Sequence, residues 1–91
     1  MEADSGKSGV QELVQGLAAG LGMDLVTLLF KWEQEQEPGT LHLRVYLGKR
    51  SERLVFSGEL VRSSAENAYP FVIRYSEYIL ETLRKLKQAQ P

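Results

Sequence analysis

Few residues in this sequence could do acid–base or nucleophilic chemistry. It contains one histidine, His42, and no cysteine, so a thiol nucleophile and a cysteine-based zinc or iron–sulfur site are excluded. A histidine titrates in the neutral range, but a catalytic role requires burial beside an orienting carboxylate. We expect His42 instead in a charged row with Lys31 and Glu59 on a solvent-exposed sheet face. The sequence therefore predicts no catalytic residue, and we expect a protein that is not an enzyme.

Two further motifs resemble ligand-binding signatures without completing them. The Gly-Lys-Ser at residues 6–8 resembles the end of a phosphate-binding loop, but Met1 occupies the position of the required first glycine. The alternate glutamates of the EQEQE stretch could bind a hard cation, yet they lack the Asp, Asn and Gly spacing of a calcium loop. We therefore predict neither a metal nor a cofactor.

A basic hairpin tip is the strongest indication of a charged ligand. Lys49, Arg50 and Arg53 lie between two predicted strands, where Arg44 could join them in contacting phosphates. Tyr46, on the same sheet face as Arg44, could stack on a base. These five residues define an alternative function, an RNA- or DNA-binding module. The 11 Lys and Arg against 12 Asp and Glu argue against a strong nucleic-acid binder, because such domains are usually basic overall.

The two halves of the sequence carry opposite charge. Residues 1–48 contain 3 basic and 7 acidic side chains, whereas residues 49–91 contain 8 basic and 5 acidic ones. Either the halves neutralise each other within one fold, or the basic half forms a patch that meets a partner. The sequence leaves both interpretations open.

The composition is that of an ordinary small globular domain. The 91 residues are 43% hydrophobic and 25% charged, enough for one domain with a modest core. We expect a single domain over residues 8–88, between a disordered tail at residues 1–7 and a C-terminal tail at residues 89–91. No apolar run approaches the roughly 20 residues of a membrane span, and the polar start lacks the features of a signal peptide. We therefore expect a cytoplasmic protein with no membrane partner.

Residue spacing predicts one helix followed by three strands. The helix begins at Ser8, whose spacing to the following glutamine is that of a capping box, and it ends at Gly22. The strands cover residues 24–33, 41–47 and 53–61, each rich in aliphatic and aromatic residues.

Two strand registers place the apolar side chains on one face of the sheet. Trp32 lies opposite Leu41 in the first hairpin, and Leu47 lies opposite Leu54 in the second, with GKRSE as the connector. A slip of one residue would turn every side chain to the wrong face. These pairings predict a three-stranded antiparallel meander.

A long amphipathic helix follows the third strand. Its apolar stripe runs from Val72 to Leu86 at helical spacing. Pro70 either kinks a helix that begins at Ser64, or opens a helix that follows a turn or short extra helix, and both interpretations stay open. The predicted fold is α+β, with two layers in the order α-β-β-β-α and both helices packed on one face of the sheet.

This order of elements resembles that of double-stranded-RNA-binding domains, although the last helix follows SSAENAYPF where that family has a lysine-rich segment. Residues 22–47 also resemble the opening of the ribosome maturation factor family, over less than a third of the chain. A third strand is predicted here where that family has a helix. Neither resemblance implies a function for this chain.

With both helices on one face, we expect the other face of the sheet to meet solvent. The predicted registers put apolar side chains at its centre and charged ones around them, a mixture that often marks an interaction surface. We therefore predict a small regulatory or adaptor module that binds a protein partner or a second copy of itself. The sequence leaves open whether another part of the chain covers this face. The expected contact residues are Leu25, Leu29, His42, Arg44, Tyr46 and Val55.

Overall fold

The fold combines one antiparallel sheet with three helices in a computed structural model that describes residues 2–33 and 38–88. The strands lie in the order β1-β2-β3, which confirms the predicted α+β class and meander. Within the described residues, no helix is long and apolar enough to cross a membrane. In chain order, the elements are α1 Glu2–Gly20, β1 Leu28–Trp32, β2 Thr40–Leu47, β3 Arg50–Ser57, α2 Gly58–Ser63 and α3 Tyr69–Gln88.

The core lies against the face of the sheet that the alternation along β2 defines. Leu41, Leu43, Val45 and Leu47 are all at most 7% exposed. Because side chains alternate between the two faces of a strand, these four residues share one face. The apolar stripes predicted for α1 and α3 pack into the same core. From the helices, the buried members of this core are Val10, Val14, Ala18, Val61, Phe71, Ile79, Leu83 and Leu86.

Both predicted strand registers are wrong. Trp32 lies opposite Leu43, and Leu47 lies opposite Arg50. The second hairpin closes through a two-residue turn with Gly48 at φ 64°, instead of the expected five-residue connector. Glycine at the first of two turn positions is typical of a type II′ turn, which suits the twist of a hairpin. Both errors are slips by an even number of residues, so each side chain keeps its predicted face.

The third strand ends earlier than predicted, and the short helix α2 follows it directly. Ser57 caps α2, since its hydroxyl oxygen accepts a hydrogen bond from the backbone N–H of Leu60 at 3.3 Å. The N–H of Gly58 donates to the carbonyl oxygen of Gly39 at 2.8 Å. Glu59 therefore lies exposed on α2 and not in a strand beside His42. The predicted order lacks this helix.

Pro70 opens the last helix and does not kink it. Helix α3 begins at Tyr69, so Pro70 occupies the first turn, where its missing N–H costs no helical hydrogen bond. The side chain of Asn67 accepts a hydrogen bond from the backbone N–H of Tyr69 at 3.2 Å. The alternative of a kinked helix that begins at Ser64 is therefore wrong. Ser64 instead ends α2 as its C-terminal cap.

Two tyrosines of α3 cover the outer edge of β3. The hydroxyl oxygen of Tyr78 accepts a hydrogen bond from the N–H of Val55 at 2.9 Å, and that of Tyr75 accepts from the N–H of Ser57 at 2.8 Å. The ring of Tyr75 also packs edge-on against Phe56, with centroids 4.9 Å apart. These hydroxyls satisfy donors that an edge strand otherwise presents to solvent.

Helix α1 begins at Glu2, six residues before the predicted start at Ser8. Residues 2–7, expected as a disordered tail, belong to this helix. Gly6 is buried against α2, and a Cβ at this position would overlap the backbone carbonyl of Val61. The close crossing of α1 and α2 therefore requires glycine at position 6. The predicted tail at residues 89–91 and most of the EQEQE stretch lie outside the described residues.

Replacing Gly6 by alanine should destabilise the fold. The added methyl group forces α1 and α2 apart, and overpacking of this kind typically costs about 1–3 kcal/mol. Gly16→Ala is the matched control in the same helix, because a Cβ at Gly16 meets no atom within 4 Å. It should raise the free energy of unfolding by about 0.5–1 kcal/mol through helix propensity. Urea unfolding measures both effects, and a Gly6→Ala variant as stable as the wild type contradicts the crossing.

Candidate functional site

The candidate site is the face of the sheet opposite to the core, which we call the open face. Its side chains come from alternate positions of the three strands, and cross-strand pairing arranges them in rows. One row holds Leu29, Tyr46 and Ser51, the next Lys31, Arg44 and Arg53, and the third His42 and Val55.

The row of Lys31, Arg44 and Arg53, which we call the charged row, divides the apolar part of the open face. Leu29 is 62% exposed and lies directly opposite the half-buried Tyr46. Val55 is 40% exposed, but it lies opposite His42 and not beside Tyr46 as predicted. Leu25 is exposed in the turn before β1, outside the sheet. The structure therefore brings together Leu29 and Tyr46, and it places Val55 and Leu25 on either side of them.

Three cations align across the sheet in the charged row. Lys31 pairs with Arg44, and Arg44 pairs with Arg53. The carboxylate of Glu33 accepts a hydrogen bond from Nε of Arg44 at 3.2 Å and lies 3.0 Å from Nε of Arg53. Arg44 also donates to the hydroxyl of Ser51 at 3.1 Å. Both arginines are thus held in place, whereas Lys31 is exposed at the edge of the sheet.

The ionisation of Glu33 is coupled to this row. The hydrogen bond from Arg44 lowers the pKa of Glu33 below its ordinary value of 4.5, and the charges of Arg44 and Arg53 act in the same direction. Partial burial opposes them. The carboxylate is therefore ionised at neutral pH, and it joins the arginines into one cluster.

His42 does not lie on an exposed surface, in contrast to the sequence expectation. Its side chain is 5% exposed, and the predicted row with Lys31 and Glu59 does not form. Nε2 of His42 lies 3.4 Å from the hydroxyl oxygen of Thr40, and among the described residues Nδ1 has no hydrogen-bond partner. His42 therefore offers no exposed contact on the open face.

The basic residues of the alternative nucleic-acid site separate into two groups. Arg53 joins Arg44 within the sheet, whereas Lys49 and Arg50 are exposed at the hairpin tip. The sequence prediction placed Lys31 in a different row from the two arginines. The correct length of the second hairpin turn would have aligned Arg44 with Arg53, whereas the alignment of Lys31 with Arg44 depends on the register of β1 with β2.

Groupings typical of a metal centre are absent from the part of the chain that the structure describes. No three His, Asp or Glu side chains there lie close enough together to hold a metal ion. An apolar cleft of about 140 Å³ lies between α1 and the start of α3, lined by Val10, Leu13 and Phe71 among others. It carries no titratable side chain.

Fold and site define a small α+β domain with a mixed apolar and basic sheet face. No family model matches the chain, and no curated protein and no solved structure shows significant similarity to it. The two partial resemblances seen in the sequence therefore assign no family.

Replacing Glu33 by glutamine should flatten the acid side of the stability curve. Because folding lowers the pKa of Glu33, the unfolded chain binds this proton more readily than the folded chain. The stabilisation is complete above the ordinary pKa and is lost as the pH falls through the lower folded-state pKa. We expect Glu33→Gln to be less stable than the wild type at pH ~7 and to lose less stability on acidification to pH ~3.

Urea unfolding of both proteins at several pH values across this range measures the free energy of unfolding. Glu59→Gln is the matched control, because Glu59 is an exposed glutamate on α2, away from the charged row. A flattening of the acid limb that Glu59→Gln shows equally does not come from the charged row. An identical acid limb in Glu33→Gln and the wild type contradicts the coupling.

Proposed function

We propose that this protein is a small non-enzymatic module that binds a protein partner through the open face of its sheet. The observation that carries the proposal is the pairing of the exposed Leu29 with Tyr46 beside a preformed arginine cluster. Exposed aliphatic, tyrosine and arginine side chains in one patch are typical of protein interfaces. A regulatory or adaptor role in the cytoplasm is part of this proposal, and the cysteine-free sequence is compatible with that reducing compartment.

In this proposal the apolar row and the charged row make different contacts with the partner. Leu29 and Tyr46 offer apolar area that a partner side chain can bury. Glu33 holds Arg44 in one orientation, so little side-chain entropy is lost when the partner binds beside it. Lys31 is exposed and makes no salt bridge with Glu33, so it can pair with a carboxylate of the partner. The surface therefore suits a partner segment that combines apolar and acidic side chains.

The remaining expected contacts contribute at the border of this surface. Leu25 extends the exposed apolar area beyond the start of β1. Val55 does the same on the other side of the charged row. His42, which is buried, supports the sheet and makes no contact in this proposal.

Replacing Tyr46 by serine should abolish partner capture and leave the fold intact. Truncation of a central interface tyrosine typically weakens binding by about 10-fold or more. Tyr69→Ser is the matched control, since Tyr69 is an exposed tyrosine on α3, away from the sheet. Affinity capture from cell lysate with nuclease, followed by titration of the captured protein, compares the two variants. Equal affinities of both variants contradict the use of the open face.

A second candidate function, RNA or DNA binding, is favoured by one observation. Lys31, Arg44 and Arg53 align across three strands with Tyr46 in the neighbouring row. In this alternative, the cations hold phosphates and the tyrosine stacks on a base. The exposed Lys49 and Arg50 extend the basic surface along the hairpin.

This alternative predicts strongly salt-dependent binding of single-stranded oligonucleotides. Affinity should fall steeply between ~50 and ~200 mM salt, because bound phosphates release counterions. Lys49→Gln should reduce the slope of log K against log salt by about 1. Lys85→Gln on α3 is the control and should retain the wild-type slope. Binding that does not change with salt, or an absence of binding, contradicts the nucleic-acid function.

A further inference from the structure

The two outer edges of the sheet are not equivalent. The tyrosines of α3 satisfy two outward N–H groups of β3, those of Val55 and Ser57. At the other edge of the sheet, the N–H of Glu33 donates to the carbonyl oxygen of His42 in β2. Because the backbone groups of alternate residues point to the same side of a strand, those of Leu29 and Lys31 also face β2. The N–H and C=O groups of Leu28, Phe30 and Trp32 consequently point away from the sheet. Within the described part of the chain, these outward groups have no hydrogen-bond partner.

Three of the six large apolar side chains that the described residues expose lie in or just before β1. Val26 is 87% exposed and lies just before β1, between Leu25 and the strand. Leu29 is exposed within β1 itself. Proteins usually protect edge strands with charges, prolines or a covering element, and β1 carries one charge and no proline. An edge of this kind is suited to pairing with another strand.

We propose that β1 pairs antiparallel with β1 of a second copy of this chain, which joins two sheets into one continuous six-stranded sheet. This pairing uses the backbone at the edge of the sheet. Leu29 and Lys31 of the open face also meet across it, whereas Tyr46 and the arginine cluster stay accessible. The inference therefore goes beyond the proposed function. An antiparallel pair of identical strands has a two-fold axis perpendicular to the sheet, so the helices of both copies lie on the same side.

One register of β1 against β1 of the second copy lets the whole strand take part in the pairing. Centred on Phe30, it pairs Leu28 with Trp32 and Leu29 with Lys31 of the other copy, so all five residues of β1 take part. Each of the outward-facing positions then exchanges two N–H···O bonds across the two-fold axis. The half-buried Phe30 meets its own copy, and the exposed Leu29 meets the aliphatic stem of Lys31.

Two neighbouring registers also pair the outward N–H and C=O groups of β1, but both are less favourable than the register centred on Phe30. A register centred on Lys31 places two lysines directly opposite each other, which is destabilising. A register centred on Leu29 pairs only residues 28–30 of the strand. Self-complementarity without a like-charge pair therefore favours a second copy of this chain as the occupant of this edge.

Charge exchange at the Leu29–Lys31 pair tests this inference. Leu29→Lys places two lysines opposite each other at two symmetric positions, so the dimer dissociation constant should rise by about 10-fold or more. The double variant Leu29→Lys with Lys31→Glu restores an opposite-charge pair and should dimerise again. Lys31→Glu alone is the control and should remain a dimer. Leu29 is exposed in one copy, so the fold of the single chain should not change.

Sedimentation equilibrium measures the mass against concentration, and circular dichroism confirms that each variant is folded. The wild type should reach twice the 10.3 kDa of one chain. A wild type that stays monomeric at all concentrations overturns the inference, as does a Leu29→Lys variant that dimerises like the wild type. Failure of the double variant to dimerise overturns the proposed register.

The same samples separate this inference from the proposed function. Tyr46 lies on β2 and takes no part in the edge pairing. If Tyr46→Ser loses the captured partner while the wild type sediments as a monomer, the proposed function holds and the dimer is wrong. If the dimer forms and Tyr46→Ser captures the partner as the wild type does, the dimer holds and the proposed function is wrong.

Discussion

The alternation of side chains along β2 is the constraint on which the rest of this structure depends. β2 is hydrogen-bonded on both sides, so its pleat decides which residues of β1 and β3 share each face. Leu43 and Val45 are completely buried, and the helices cover their side of the sheet. Arg44 and Tyr46 are left for the opposite face. The composition of the open face is therefore a direct consequence of how the core is built.

Helix α3 supplies side-chain acceptors to the outer edge of β3, and no described helix does so for β1. Helix α3 lies close enough to β3 for two tyrosine hydroxyls to accept hydrogen bonds from the outward N–H groups of Val55 and Ser57. The aromatic cluster around Phe56 fixes these rings, so the protection of the edge and the packing of the core are one arrangement. Nothing comparable covers the backbone of β1 among the described residues. The C-terminal part of β3 is therefore the protected part of the two edges.

The opposite charges of the two sequence halves meet at one point of the open face. Glu33 belongs to the acidic half, and Arg53 belongs to the basic half. Their ion pair supports neutralisation within the fold, and Arg44 adds a second bond to the same carboxylate. Lys49 and Arg50 remain exposed at the hairpin tip. The structure thus uses part of the charge internally and presents the rest to solvent.

Residue periodicity determined the fold class, the meander and the face on which each β2 side chain lies, because a period of two is specific to strands. It could not decide the registers, since slips by two or four residues leave the apolar pattern unchanged. The turn at Gly48 decided the register of β2 with β3, and the cap at Ser57 decided where β3 ends, through a φ angle and a hydrogen bond that no alternation contains. The burial of His42 was also decided by the tertiary structure, because exposure depends on what packs above a strand and not on its period.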